Sequence, residues 1–164
     1  MTPSVTYGTE ASLAGRQPSG RRPAESPSPV QARIHHFGQI VRSVDAHLSG
    51  SLWEARSEVV TDPVQKAKLV LVSLPGDTTS PFIELVEPLG EDSPVWNALV
   101  KGGGWHHVCF EVATREEGDR LIAESRLLPV TDWVPAILFG GRSVRFVYSR
   151  NRELLELVTE ELHG

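Results

Sequence analysis

Apolar and polar positions along this chain fall into two matching halves. Residues 34–41, Ile-His-His-Phe-Gly-Gln-Ile-Val, alternate with period two and predict a strand. The alternation puts His36, Gly38 and Ile40 on one face and His35, Phe37 and Gln39 on the other. Residues 44–54 suit a short helix with Ser43 as its N-cap, interrupted by Gly50. Residues 66–74, Lys-Ala-Lys-Leu-Val-Leu-Val-Ser-Leu, have a continuous apolar centre, which predicts a strand buried on both faces. A turn rich in Pro, Gly and Thr at 75–81 should fold it back on a second strand at 82–86 as a hairpin. Asp92-Ser93-Pro94 predicts the start of a helix running to about residue 100, and Lys101-Gly102-Gly103-Gly104 breaks the chain after it.

The second half repeats the plan. Trp-His-His-Val-Cys-Phe-Glu-Val at 105–112 is a stronger copy of the first strand. Residues 114–125 predict a helix capped by Thr114, with Glu116 and Glu117 in its first turn and Leu121 and Ile122 facing inward. A loop with Pro129 and Pro135 follows, and then strands at 143–148 and 154–158 joined across Ser149-Arg150-Asn151-Arg152. His36 to Glu84 is 48 positions and His107 to Glu156 is 49, so the histidines and glutamates repeat in step. The prediction is an α+β fold over residues 33–162: two tandem βαβββ modules, 33–100 and 104–162, completing one curved mixed sheet.

Composition changes the picture only before residue 33. Residues 1–32 are rich in Pro, Ser, Gly and Arg and hold little to bury, which predicts a disordered tail. Deleting residues 1–31 is therefore expected to leave the melting temperature and metal content unchanged; a drop of several degrees would show that this arm packs on the domain. A net charge of -5 and the lack of a basic run interleaved with aromatics argue against a nucleic-acid surface. No apolar run approaches the length of a membrane span and no secretory pattern stands at the start, so the cytoplasm is the expected location. The single Cys109 excludes an internal disulfide and a thiol-rich zinc site.

The chemistry lies in the repeated His and Glu. If the strands of each module are neighbours, His36 converges with Glu84 and His107 with Glu156, and a pseudo-twofold relation brings both pairs to one centre. Two imidazoles and two carboxylates suit one divalent ion of the borderline class, Co, Mn, Zn, Ni or Fe(II). Among other candidates, Arg142 can pair with a substrate carboxylate through its planar fork. Glu111 lies further along the His107 face, Cys109 reads as a small buried strand residue, and Lys66 and Lys68 as a solvated strand end.

These residues carry a resemblance to the vicinal oxygen chelate (glyoxalase-like) superfamily, and within it to the methylmalonyl-CoA epimerases. The matching stretches are 34–41, Ile-Glu-Leu-Val-Glu-Pro-Leu-Gly-Glu-Asp-Ser-Pro-Val at 83–95, Gly-Trp-His-His-Val-Cys-Phe-Glu-Val at 104–112, and Leu-Leu-Glu-Leu at 154–157. The resemblance implies metal ligands at His36, Glu84, His107 and Glu156, with His35 and His106 pointing away. It also implies abstraction of a proton next to a metal-bound carbonyl through an enolate, a small-molecule substrate such as an acyl-CoA thioester, and a possible homodimer. The epimerases place one candidate base in the third strand. Here that strand reads Lys-Leu-Val-Leu-Val, so Glu156 or Glu84 becomes the expected proton carrier, with Glu111 or Asp132 as substitutes. A lyase, an Fe(II) dioxygenase and a metal-free protein that sequesters a small molecule are the competing functions on this scaffold. Four ligand positions, where such oxygenases use three, favour the epimerase.

Overall fold

In a computed structural model, which describes residues 29–79 and 81–164, the alternating stretch around the first histidine pair forms β1 (Arg33–Ile40). Residues 1–28, nearly all of the Pro/Ser/Gly/Arg-rich stretch, lie outside the described residues, as does Ser80. After β1 come α1 (Val44–Ser49), β2 (Glu54–Ala55), β3 (Val60–Asp62), β4 (Ala67–Ser73), β5 (Phe82–Pro88) and α2 (Trp96–Val100). The second half runs β6 (Gly104–Val112), α3 (Arg115–Ser125), β7 (Leu128–Pro129), β8 (Val134–Ala136), a 3-10 turn at Ile137–Phe139, β9 (Arg142–Tyr148) and β10 (Leu154–Leu162). No helix among the described residues is long and apolar enough to cross a membrane.

Among the described residues ten strands make one mixed sheet, in the order β2-β4-β5-β1-β6-β10-β9-β7, with β3 on β4 and β8 on β9. The two first strands, β1 and β6, meet antiparallel at its centre, and each pairs in parallel with the last strand of its own half, β1 with β5 and β6 with β10. Around the pair Phe37 and Val108 the register is symmetric: His36 faces Cys109 and Gly38 faces His107. The two halves are thus related by a local twofold through the middle of the sheet.

Alternation divides each half into an outer core under its helix and an inner core on the histidine face. Outside, Val44 and Leu48 of α1 pack on Val41, Val70, Val72 and Leu85, while Ile122 and Leu121 of α3 pack on Phe110, Val147 and Leu157. Leu85 and Leu157 are completely buried, and each such side chain contributes about 1.5–3 kcal/mol by leaving water. Inside, Ile40, Leu69 and Val86 are covered by Val95, Ala98 and Leu99 in and before α2, and by Leu138. Cys109, Val144 and Val158 are covered by Ala136 and Phe139. The segment around Ile137–Phe139 therefore reaches from the second half to the first across the inner face.

Caps follow the sequence unevenly. Thr114 caps α3, its hydroxyl accepting from the Glu117 amide, and Ser43 caps α1 through the Ala46 amide. Gly50 ends α1 after Ser49, earlier than the expected 54. The helix expected from Asp92 begins only at Trp96; the Ser93 hydroxyl accepts from the Val95 amide at 3.4 Å and donates to the Gln65 carbonyl oxygen, which ties this segment to the β3–β4 turn. The short strands β2, β3, β7 and β8 had no signal in the sequence: runs of two or three residues show no periodicity, and only their hydrogen-bonded partners define them.

Candidate metal centre

Two bulges place the histidines. Where Ile34 pairs with Phe110 and His36 with Cys109, His35 is an extra residue on β1; where Gln39 pairs with Trp105 and Gly38 with His107, His106 is an extra residue on β6. A bulge turns its extra side chain away from the strict alternation. His35 is consequently buried rather than pointing away, with its ring edge-on to Phe139 and its Nδ1 2.9 Å from Nδ1 of His36. His106 repeats the arrangement, Nδ1 3.0 Å from Nδ1 of His107, while staying half-buried. The expectation that the first histidine of each pair faces away is corrected: each stands directly behind its neighbour.

The second histidines meet the two glutamates at the middle of the inner face. His36 Nε2 lies 3.2 Å from His107 Nε2, 3.1 Å from Glu156 Oε2 and 3.5 Å from Glu84 Oε2. His107 Nε2 is 3.3 Å from Glu84 Oε2 and 3.5 Å from Glu156 Oε2. The four residues are 0, 4, 7 and 3% exposed for His36, Glu84, His107 and Glu156, and their donor atoms all lie within 4.8 Å of one another. The register explains the convergence: Glu84 pairs with Gly38, two residues beyond His36, and Glu156 pairs with Cys109, two residues beyond His107.

Three observations fit this donor set to a divalent cation. Four ligands at about 2.1 Å from one ion stand about 3.0–3.4 Å apart, and the five separations above, from 3.1 to 3.5 Å, lie close to that range. Glu156 Oε2 is buried and makes no hydrogen bond of acceptable geometry, so its charge needs a facing cation, either the two imidazolium rings 3.1 and 3.5 Å away or a bound metal ion. The proton inventory also leaves both Nε2 atoms for an ion. Burial first, and then the charge of His36, lower the pKa of His35 to about 4, and burial lowers that of His106, so both stay neutral and accept at Nδ1 from their neighbours. A histidine held as the Nδ1–H tautomer presents its Nε2 lone pair to metal. Glu111, beyond His35 at 3.9 Å, completes a line of polar groups behind the first ligand.

Without an ion the same cluster is an ion-paired network. Burial by itself lowers the imidazole pKa values, but hydrogen bonding to Glu156 and Glu84 outweighs it and raises His36 to about 9 and His107 to about 10. Burial likewise pushes the Glu84 and Glu156 carboxyls up, and the two imidazoles hold both well below the usual carboxylate range. The raised histidines contribute stability that is complete below their ordinary 6.5 and is lost as pH rises through about 9 to about 10. The depressed glutamates contribute stability present above their ordinary 4.5 and lost as pH falls through the lowered values. Chelator-treated protein is thus expected to melt highest between pH 4.5 and 6.5 and to weaken toward pH 10. Metal affinity should rise over the same alkaline range, because binding must displace the imidazole protons. Melting curves with chelator that stay flat from pH 6 to pH 10 would contradict the network.

Gly38 is a requirement of this centre that sequence reading passed over. A Cβ there would sit 2.1 Å from Cε1 of His107, so the ring occupies the space a side chain would fill. Gly38→Ala is expected to displace His107, lower stability by about 1–3 kcal/mol as overpacking does, and reduce metal content; thermal melting and elemental analysis check both. A glycine two residues after a histidine, opposite a second histidine, was the available signal.

Other candidates fall outside the four. Arg142 is the first residue of β9 and not a free loop arginine: its guanidinium donates to Glu111 and to the Thr159 carbonyl oxygen. Glu111 also accepts from Arg33, and although burial alone would raise its pKa, Arg142 and Arg33 hold it below the usual range. An internal ion pair thus occupies the fork expected to take a substrate carboxylate. Asp132 is exposed on the loop before β8. Cys109 is completely buried, packed on Val144 and Val158 with Glu156 nearby; burial first, and then the Glu156 charge, push its thiol well above the ordinary value, which disfavours the thiolate that a metal or nucleophilic role needs. Lys66 and Lys68 pair with Asp92 and Glu87 at 2.6 and 3.4 Å.

Comparison with known proteins points one way. No family model matches the chain. It is 34% identical over 116 residues to a mitochondrial methylmalonyl-CoA epimerase of Bos taurus, covering 68% of this chain and 61% of that protein. It is 38% identical over 97 residues to an ethylmalonyl-CoA/methylmalonyl-CoA epimerase of Cereibacter sphaeroides, covering 55% and 66%. The matches thus span about two thirds or less of these relatives' own length. Among solved structures, a variant of the Streptomyces coelicolor methylmalonyl-CoA epimerase in complex with 2-nitronate-propionyl-CoA superposes with a TM-score of 0.64 at 25% identity, over 77% of this chain and 96% of that one. In sequence and in fold the chain resembles the methylmalonyl-CoA epimerases, and the paired-module sheet is that of the vicinal oxygen chelate superfamily.

Proposed function

We propose that this protein is a metal-dependent epimerase that inverts the acidic carbon of a 2-substituted malonyl-CoA thioester. The observation that carries the reading is the buried quartet His36, Glu84, His107 and Glu156, converging on one point of the inner face. Its support is the likeness to curated epimerases and to an epimerase that binds a propionyl-CoA analogue.

His36 and His107 would hold the ion through Nε2, each oriented from behind by His35 or His106, and Glu84 and Glu156 would complete the donor set and balance its charge. When bound, such an ion supplies Lewis-acid stabilisation of the negative charge that develops on a substrate carbonyl as the neighbouring proton leaves. A carboxylate oxygen of Glu156, or else of Glu84, takes that proton from one face, and a proton drawn from solvent is delivered to the opposite face, which inverts the carbon. Phe139 lies against His36 with ring centroids 5.4 Å apart, and Phe146 stands edge-on to His107 at 5.4 Å. These rings exclude water from the two ligands. The ion is of the borderline class, Co, Mn, Zn, Ni or Fe(II). A homodimer completes the reading, on the habit of the superfamily that the sequence resembles.

Deuterium exchange into methylmalonyl-CoA in heavy water, with and without chelator, tests the reaction. Metal-dependent exchange at the acidic carbon is the expected result. Conversion without exchange, or exchange indifferent to chelator, would sink the proposal.

A further inference from the structure

All four residues of the quartet are buried, yet a substrate carbonyl must reach the point on which they converge. Something above them has to move. We propose that the hairpin tip Ile137–Phe139 is the gate of this centre, and that its Phe139, closing over a bound thioester, sets which 2-substituent the acidic carbon can carry. The proposal rests on the epimerase reading above and names a specificity-determining residue of that site.

Of the two phenylalanines against the ligand imidazoles, one is fixed and one is not. Phe146, edge-on to His107, lies inside β9, where it pairs with Glu156 of β10. On its other side its carbonyl accepts from the Val130 amide and its amide donates to the Thr131 hydroxyl. Phe139 lies over His36 with ring centroids 5.4 Å apart and meets His35 at 5.2 Å, from a three-residue turn between β8 and β9. Among the described residues β8 pairs with β9 alone, over three residues, and one of these is Pro135, which has no N–H to donate.

The tip is hinged at one end and latched at the other. Gly140 and Gly141 follow it with φ of 65° and 88°, and adjacent glycines change conformation at little steric cost. The turn is closed on itself, the Gly141 amide donating to the Ala136 carbonyl oxygen at 2.9 Å and the Gly140 amide to that of Ile137 at 3.2 Å, so it can swing as a unit. Its hold on the first half is apolar. Leu138 packs with Ile40, Leu69 and Val86, while Ile137 is 51% exposed.

Phe139 also decides what fits. Its ring packs with Ala136 on Cys109, Val144 and Val158. With the tip lifted, the place of the ring beside His36 becomes a recess bounded by those apolar side chains. A 2-alkyl group enters it without stranding a polar atom, and how far the ring can return over that group limits its size.

The test labels Cys109, the one cysteine of the chain, which lies under the tip and reports its opening. With a divalent metal supplied, the full chain carrying Leu138→Ala should react with a small thiol reagent at least about tenfold faster than the unaltered chain, because the latch is gone. The rates should be nearly independent of low urea, as a local opening requires. A rate equal in the two proteins, or one that climbs with urea as steeply as global unfolding, overturns the gate. Phe139→Ala and Phe139→Leu are then compared with the unaltered chain on methylmalonyl-, ethylmalonyl- and butylmalonyl-CoA by proton exchange in heavy water. The ratio of kcat/KM for the butyl over the methyl substrate should rise at least about tenfold in Phe139→Ala, with Phe139→Leu between, since methylenes in an apolar pocket discriminate on that scale. Activity lost in equal proportion on all three thioesters marks a merely structural ring and overturns the assignment to Phe139. Absence of exchange in every protein defeats the epimerase reading and the substrate role of Phe139 with it, while the labelling rates still decide the gate.

Discussion

Glu156→Gln is expected to fold, to keep most of its metal, and to lose turnover by about 10²–10⁴-fold, the usual worth of general-base participation. The change is nearly isosteric, and Leu157 and Val158 of β10 stay buried in the two cores on either side of the sheet. What it removes is the carboxylate oxygen aimed at the quartet without a hydrogen-bond partner. No acidic side chain on β4 stands ready as a substitute, since its seven residues are Ala-Lys-Leu-Val-Leu-Val-Ser. Glu84→Gln should be milder, because it leaves Glu156 in place as the proton carrier. Deuterium exchange and metal content measured side by side for both variants decide the matter. A Glu156→Gln protein that binds metal and exchanges at the unaltered rate would move the base outside the quartet, with Glu111 and Asp132 the residues to examine next.

The second large effect concerns the ion. His107→Ala should emerge from purification with its metal essentially lost, where the unaltered protein carries about one divalent ion per chain. It removes one of two Nε2 donors and opens a space beside Gly38, while Glu84 and Glu156 face each other across His36 alone. His106→Ala removes only the group behind His107, and loss of such a partner weakens metal binding by about 10–100-fold. Elemental analysis after dialysis separates the two. Full metal in His107→Ala together with loss in His106→Ala would show that the other imidazole of the pair is the ligand.

The sequence by itself determined the plan of two matched halves, because periodicity and the repeated His and Glu spacing are local properties of the chain. It made legible the long strands β1, β4, β5, β6, β9 and β10, the Thr114 cap and the four residues of the quartet. Tertiary structure decided what depends on partners distant in the chain. The bulges exist only as a mismatch between β1 and β6, so period-two reading sent His35 and His106 outward when both stand behind the ligands. Ser93 also donates its hydroxyl to the Gln65 carbonyl, 28 positions earlier, a tie to the β3–β4 turn that no local pattern announces. Arg142 looked free until the fold brought Glu111 beside it, 31 positions away. Gly38 is needed because of a ring that belongs to the other half. A hydrogen bond, an ion pair or a close contact between residues far apart in sequence leaves no periodic trace, and only the folded sheet shows which donors and acceptors remain for chemistry.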